Sequence, residues 1–324
     1  MRERFSLKSI LSTLYKDYLV LVAIMTLVLI TAIVEPKFLT AGNVTNIMRQ
    51  FGPLIMVALG MTFVIIGGFI DLSVAGILSL VAVVTVSMIE PLGQVYALLI
   101  GLSLGALCGF LNSKLILLSG AMTQAEALFI TYGMSMVYGA LALIYSGGST
   151  KHMSYIESNT SVFQAIGTGT VGIFSVSFII FLFCLLLLYF VQTQTYMGRA
   201  MYLTGGNKAA AALSGINIYR SITTIYTISG LMTALGAIVL FSRVTTASPV
   251  IGNGYETNAI LAVVVGGTAL IGGNGSVLRT VLGTMLVILL SNCMNLLDVS
   301  VYMQYIMKGA ILVLAIWLDN RKQV

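Results

Sequence analysis

A chain of 324 residues that is 58% hydrophobic and only 8% charged is not a water-soluble globular domain, where roughly a quarter of residues are charged. The net charge of +6 comes from 16 basic residues scattered at the ends of apolar runs, not gathered in a stripe, so it points to no nucleic-acid partner. Cys108, Cys184 and Cys293 lie in or beside apolar runs with no CxxC or zinc spacing, and read as packing residues.

The apolar runs are near the length of about 20 helical residues that spans a bilayer, and they lack the alternation of barrel strands. A first span is expected at 17–34, after Arg2, Arg4, Lys8 and Lys16 and before Pro36. It has no small-residue cleavage site and further spans follow, so it reads as a span and not a removed signal. The second span is expected at 48–66, with Gly52-Pro53 in its first turn, and the segment GGFIDLS at 67–73 interrupts the apolar pattern. The third runs on to Met88, and the fourth covers 94–112, where Gly101, Gly105 and Gly109 predict one close-packing face. The fifth, at 122–145, is the least clean and contains Glu126, Thr131, Tyr132 and Ser135. A polar loop at 146–169 precedes the sixth span at 171–190. Then comes 198–220, which is polar, basic and rich in small residues. The seventh span is expected at 221–241, a short eighth at 257–271 ending in GGTALIGGNGS, the ninth at 277–293 and the tenth at 303–318.

This pattern predicts an all-α polytopic membrane protein, a single domain over 1–324, with about ten transmembrane segments, some broken or re-entrant and glycine-rich. An even number of spans puts both termini on one side. Arg2, Arg4, Lys8, Lys16, Lys114, Arg199, Lys208, Arg220, Arg279, Arg321 and Lys322 then outnumber Lys37, Arg49, Lys151 and Arg243 across the membrane. That excess makes the termini and 198–220 cytoplasmic, and 146–169 the main extracytoplasmic loop. A faint echo links Val64-Ile65-Ile66-Gly67-Gly68 to Val263-Val264-Val265-Gly266-Gly267, and chance explains it as well as ancestry does.

No catalytic constellation is visible. His152 has no partner at metal-ligand spacing, and there is no HExxH, acidic pair or GxxxxGK[ST] loop. GGNKA at 205–209 has the wrong spacing for a phosphate loop and follows no strand, so this chain is expected to bind no cofactor and hydrolyse no nucleotide itself. Charges within spans are informative because lipid disfavours them. Asp71, in the first glycine break, reads as a structural clamp or a gate, together with Gly67, Gly68, Gly266, Gly267, Gly272 and Gly273. Glu126 is expected at a protein-lined position inside span five, Glu256 caps a span mouth, and Lys308 snorkels or lines a dimer axis. A route for a neutral polar solute needs hydroxyls and amides. Candidates are Thr131, Tyr132, Ser135, Asn258, Asn292 and Asn295, each of which can equally bond across helices. These residues favour transport over membrane enzymology. They leave open an ion-gradient-driven secondary transporter of a small polar solute, or an inactive scaffold.

Five blocks add a resemblance: GGFIDLSVAGILSL at 67–80, GALCGFLNSKL at 105–115, TGGNKAAAALSGINIYR at 204–220, FSRVTTASPVIGNGYETNAILAVVVGGTALIGGNGSV at 241–277, and LLSNCMNLLDVSVYMQYIMKGAILVLAIW at 289–317. On these the chain resembles the permease subunits of bacterial ABC importers for sugars of the ribose type, over about residues 20–320. The resemblance implies a multi-pass protein of the bacterial cytoplasmic (inner) membrane. Its partners would be a second permease subunit (homodimer or heterodimer), a cytosolic ABC ATPase carrying ATP-Mg, an extracytoplasmic sugar-binding protein and membrane lipid. It implies that Gly205, Gly206, Asn207, Ala210, Ser214, Gly215 and Ile216 dock the ATPase, and that the block 266–275 lies near the cytoplasmic end of the route. The chain departs from the pattern twice. GGFIDLS carries one extra residue, Phe69 or Ile70, and the approach to span five lacks the family's proline and contains Glu126.

Overall fold

In hydrocarbon a backbone must satisfy its own polar groups, and long apolar segments do this by closing into helices. The computed structural model describes residues 19–321, with side chains for 20–317. In chain order the helices are α1 (Leu19–Val34), α2 (Ala41–Ile66), α3 (Val74–Leu92), α4 (Gln94–Leu118), α5 (Gln124–Ser146), α6 (Ser161–Thr168), α7 (Val176–Gln194), α8 (Tyr196–Gly206), α9 (Lys208–Leu213), α10 (Ile218–Val244), α11 (Tyr255–Val265), α12 (Val277–Leu296) and α13 (Val301–Arg321). Two-residue strands β1 (Lys151–His152), β2 (Thr170–Val171), β3 (Phe174–Ser175) and β4 (Thr246–Ala247) form two small antiparallel pairs, β1 with β4 and β2 with β3. Helix starts follow polar caps: Thr40, Thr123, Ser175, Thr195, Asn207, Asn217 and Ser276 each accept a backbone N–H from the first turn they precede.

The expectation of about ten spans is corrected. Among the described residues 7 helices are long and apolar enough to cross a membrane, namely α2, α3, α4, α5, α7, α10 and α12. Apolar helices at 20–34, 255–265 and 301–317 are shorter. The expected eighth span is the clearest difference. α11 has 11 residues, about 16 Å at 1.5 Å per residue, against roughly 30 Å of hydrocarbon. Gly254 and Gly266 bound it. The turn before it packs inside the bundle, where the Gly252 amide donates to Ser79 Oγ at 3.0 Å. Arg2, Arg4, Lys8, Lys16 and Lys322 lie outside the described residues, as does the start of the first expected span.

The core is built on α2, whose residues from Phe51 to Ile66 are all buried. α10 lies along it and also packs against α4. Small residues permit this approach. A Cβ on Gly60 would stand 2.9 Å from the Ser229 Cα, and one on Gly109 would collide with the Tyr226 carbonyl. Gly105 meets Ala234 and the Gly230 carbonyl, while Gly101 meets Thr85 of α3. The glycine row expected on the fourth span therefore seats α4 against α10 and α3. α3 packs between α4 and α5, while α11 and α12 pair on the other flank of α2.

The loops expected to face outward meet each other. β1 pairs with β4 in the register Lys151↔Ala247 and His152↔Thr246. Arg49 donates to the Thr168 carbonyl at 2.7 Å, and Arg243 to Asn46 Oδ1 at 3.4 Å. Lys151, Arg49 and Arg243, all assigned to the basic-poor side, thus belong to one connected end of the molecule.

Gly109→Val is expected to lower the thermal stability of the detergent-solubilised protein by about 1–3 kcal/mol or more, because α4 must move away from α10. Gly133→Ala is the control: its added Cβ meets nothing within 4 Å, so its melting point should stay level or rise.

Candidate functional site

α2 and α11 end in the same way. Gly67 caps α2, the Gly68 amide bonds to the Ile65 carbonyl at 2.9 Å, and the Phe69 amide to Val64 at 3.1 Å. At α11, Gly266 is the cap, Gly267 bonds to Val264 at 2.8 Å and Thr268 to Val263 at 3.2 Å. Both are Schellman caps, with the second glycine left-handed at φ 80° and 91°. The echo VIIGG/VVVGG is therefore a shared geometry, and glycine is required where φ is positive.

After the first cap the chain cannot start α3 without placing polar backbone in the interior. Asp71 organises that turn. Its fully buried carboxylate accepts from the Ser73 amide at 3.0 Å, the Ser73 hydroxyl, and the Ser229 hydroxyl of α10 at 3.0 Å. Asn112 of α4 donates to Ser73 Oγ at 2.6 Å, and Tyr138 of α5 donates to Asn112 Oδ1 at 3.0 Å. Thr131 accepts from the Leu72 amide at 3.1 Å, and the Ser135 hydroxyl from the Gly76 amide at 3.3 Å. Tyr226 of α10 donates to the Ile70 carbonyl at 3.2 Å. One carboxylate thus holds the α2–α3 turn to α10, and through Ser73 and Asn112 to α4 and α5.

The segment between α7 and α10 touches both breaks. A Cβ on Gly205 would overlap the Ile66 carbonyl and stand 2.7 Å from the Gly273 amide, which itself donates to Ile66 at 2.8 Å. A Cβ on Gly272 would lie 2.6 Å from the Gly68 Cα, and one on Gly273 2.8 Å from the Gly206 Cα. Backbones of three segments therefore meet without side chains between them. Tyr202 of α8 donates to the Gly275 carbonyl at 2.6 Å, and Gln192 of α7 accepts from the Val277 amide at 3.1 Å. Burial pushes the Tyr202 phenol above its usual range. Lys208, first residue of α9, donates to the Met122 carbonyl at 2.7 Å and stands 4.1 Å from the Phe69 ring centroid. Burial lowers the Lys208 pKa and the Glu126 carboxylate opposes this.

The outer face of the same segment is open. Gly206, Asn207, Ala210, Ser214 and Gly215 are exposed and Ile216 is half-buried, whereas Gly205 is a packing residue. Leu213, which the sequence reading did not single out, is 92% exposed at the end of α9. Its signal was an apolar residue closing a polar, alanine-rich helix. Gly215 has φ 78° and supplies a Schellman cap of the same kind, bonding to Ala212 while Ile216 bonds to Ala211, both at 3.0 Å.

Glu126 is a correction. It is not at a protein-lined interior position but exposed in the first turn of α5, in a reciprocal capping box with Thr123: the Thr123 amide donates to its carboxylate at 2.9 Å and its own amide to Thr123 Oγ1 at 3.3 Å. The route candidates also separate. Tyr132 and Ser135 line an open cavity of about 370 Å³ with Ser79, Asn253 and Pro249. Thr131 instead serves the Asp71 turn. Asn258 bonds to the Gly254 carbonyl within its own turn at 2.8 Å. Asn292 exchanges two amide bonds with Asn43 at 2.8 and 3.0 Å, tying α12 to α2, and Asn295 accepts from Gln304 at 2.8 Å. Among the described residues no group of three His, Cys, Asp or Glu could hold a metal.

Asp71→Ala is expected to destabilise the protein by roughly 2–4 kcal/mol, since it leaves the Ser73 and Ser229 hydroxyls and a turn amide without their acceptor. Ser229→Ala, which removes one donor, should cost about 1–2 kcal/mol; paired thermal melts in detergent check the order.

The family model described as the permease component of branched-chain amino acid transport systems matches residues 43–316. The chain is 35% identical over 304 residues to the ribose import permease protein RbsC of Haemophilus influenzae, covering 92% of this chain and 91% of that one. It is 36% identical over 297 residues to RbsC of Bacillus subtilis, covering 91% and 90%. It is 34% identical over 340 residues to the xylose transport system permease protein XylH of Escherichia coli, covering 88% and 86%. No solved structure matches the chain significantly. The matched residues contain both capped breaks, the Asp71 cage and the segment that joins them, and the chain belongs to this family of transport-system permease components.

Proposed function

We propose that this chain is the membrane-spanning permease subunit of an ATP-driven ABC importer. It carries a monosaccharide, a ribose-like pentose, a hexose or a related sugar, delivered by an extracytoplasmic binding protein, into the cytoplasm. The relatives named for ribose and xylose import support a small neutral sugar. The observation that carries the reading is the two-faced segment 196–216: its inner face meets both breaks, and its outer face presents Leu213 and the open backbone of Gly206 and Gly215. In this reading α9 docks on the cytosolic ATPase, where ATP-Mg binds, and Gly206, Asn207, Ala210, Ser214, Gly215, Ile216 and Leu213 form the contact. Gly205 acts behind them as the packing member that passes a displacement to Gly68 and Gly273. The membrane orientation follows, with 198–220 and both termini cytoplasmic and 146–169 extracytoplasmic, where the binding protein approaches.

The cavity beside Tyr132 and Ser135 suits a neutral polyhydroxy solute better than an ion. Ser79 and Ser135 spend acceptor capacity on backbone amides and keep their hydroxyl protons free to donate. Asp71 is the one fully buried carboxylate of the described residues, and hydroxyls and an amide satisfy it. That is the environment of a clamp, with no second buried acid beside it to relay a proton. A second permease subunit, the same chain or another, completes the route.

A cysteine at Ala210 should cross-link to the ATPase subunit in the active complex. Its failure to do so while uptake persists would place docking elsewhere. Uptake into vesicles holding the complete complex should require ATP and persist when ion gradients are collapsed; the reverse would establish a secondary transporter. Gly215→Arg should cut uptake about tenfold or more by placing bulk, charge and a disfavoured φ on the docking face, with membrane insertion intact. Normal ATP-dependent uptake by that variant would remove Gly215 from the contact.

A further inference from the structure

We propose that Lys208 and Phe69 form a positioning contact that ties the placement of the exposed helix α9 to the Asp71 break. The inference rests on the permease reading above and names a residue pair through which that coupling passes. Lys208 sits at the base of α9, yet its side chain turns inward. Its ammonium is 4.1 Å from the centroid of the Phe69 ring and donates to the Met122 carbonyl at 2.7 Å. A cation partly withdrawn from water toward one ring and one carbonyl is attracted most strongly where both remain in reach. Moving α9 withdraws the ammonium from both at once.

What Lys208 touches is the root of the break on two sides. Phe69 is fully buried and supplies the amide that closes the Schellman cap of α2. Its ring lies 6.1 Å from Tyr226, whose hydroxyl holds the Ile70 carbonyl of the same turn. Met122 immediately precedes the cap of α5, and α5 carries Thr131 to the Leu72 amide. The break and α5 both converge on Asp71, so one ammonium spans the two elements that frame the carboxylate. GGFIDLS exceeds the family spacing by one residue, Phe69 or Ile70, and the Phe69 ring occupies the place where Lys208 arrives. At the second break the cation is Arg279, which donates to the Gly267 carbonyl at 3.2 Å, while Tyr202 holds the Gly275 carbonyl.

The test uses the full complex, with its ATPase and binding protein, reconstituted in vesicles with D-ribose and D-xylose as probes. The quantity read is sugar taken up per ATP hydrolysed. Lys208→Met keeps the length and apolar stem of the side chain and removes its charge. It is expected to lower that ratio roughly tenfold while ATP hydrolysis and co-purification of the ATPase persist. Lys208→Arg should restore most of the ratio. Phe69→Leu should lower it similarly, and the double variant should be no worse than either single change, since both remove the same contact. Lys114→Met, which removes a charge whose ring contact is to Phe110 of its own helix, should leave the ratio unchanged. A Lys208→Met complex with the wild-type ratio overturns the proposal, including where its melting point falls, for that outcome is a structural role only. Additive losses in the double variant also overturn it. Absence of ATP-dependent uptake by the wild-type complex overturns the permease reading instead, and the proposal with it.

Discussion

A helix that stops inside an apolar bundle leaves amides and carbonyls that water cannot reach, and the rest of this structure is arranged around satisfying two such stops. α2 and α11 each end in a Schellman cap, which closes part of the account locally. The remainder is met from outside. At the first break Asp71 of the turn itself works with Ser229 and Tyr226 of α10, Asn112 of α4 and Thr131 of α5. At the second they come from Ile66, Tyr202, Gln192 and Arg279, the last donating to the Gly267 carbonyl at 3.2 Å. Neither break is stable without the neighbouring helices, so the bundle and the breaks specify each other.

The glycines follow from the same constraint. Where Gly68, Gly205, Gly272 and Gly273 meet, backbone lies on backbone, and a methyl group at Gly205, Gly272 or Gly273 has no room. Such contacts transmit displacement well because no flexible side chain absorbs it. The Lys208 ammonium over Phe69 is the exception, a directional contact in an otherwise glycine-built junction. In the proposed importer this junction is where a partner's movement at α9 would reach the membrane interior.

Membrane character, helical class, the two glycine breaks, the glycine row of α4 and the polar segment 198–220 were all legible in the residues. Each is a local property: run length, spacing of small residues, a capping pattern. Two residues illustrate the limit. Glu126 follows Thr123 by three residues, which is the spacing of a capping box, yet it sits in an apolar context that suggested an interior charge. Asn292 left two readings open, a route lining or a bond across helices, and it is paired amide to amide with Asn43 of α2. Whether a polar side chain faces solute or another helix depends on which helix stands opposite, and sequence spacing does not say.

The sequence by itself determined that the chain lies in a membrane, where it breaks, and which family's motifs it carries, because these depend on transfer energies and local backbone preference. Only the tertiary structure decided that the expected eighth span is an 11-residue helix starting inside the bundle. It alone decided that Asp71 is enclosed by Ser73 of its own turn and Ser229 of α10, and that 196–216 joins both breaks while leaving Leu213 in the open. Those outcomes rest on contacts between residues up to two hundred positions apart, set by how closely glycine-faced helices approach, and no local pattern encodes that distance.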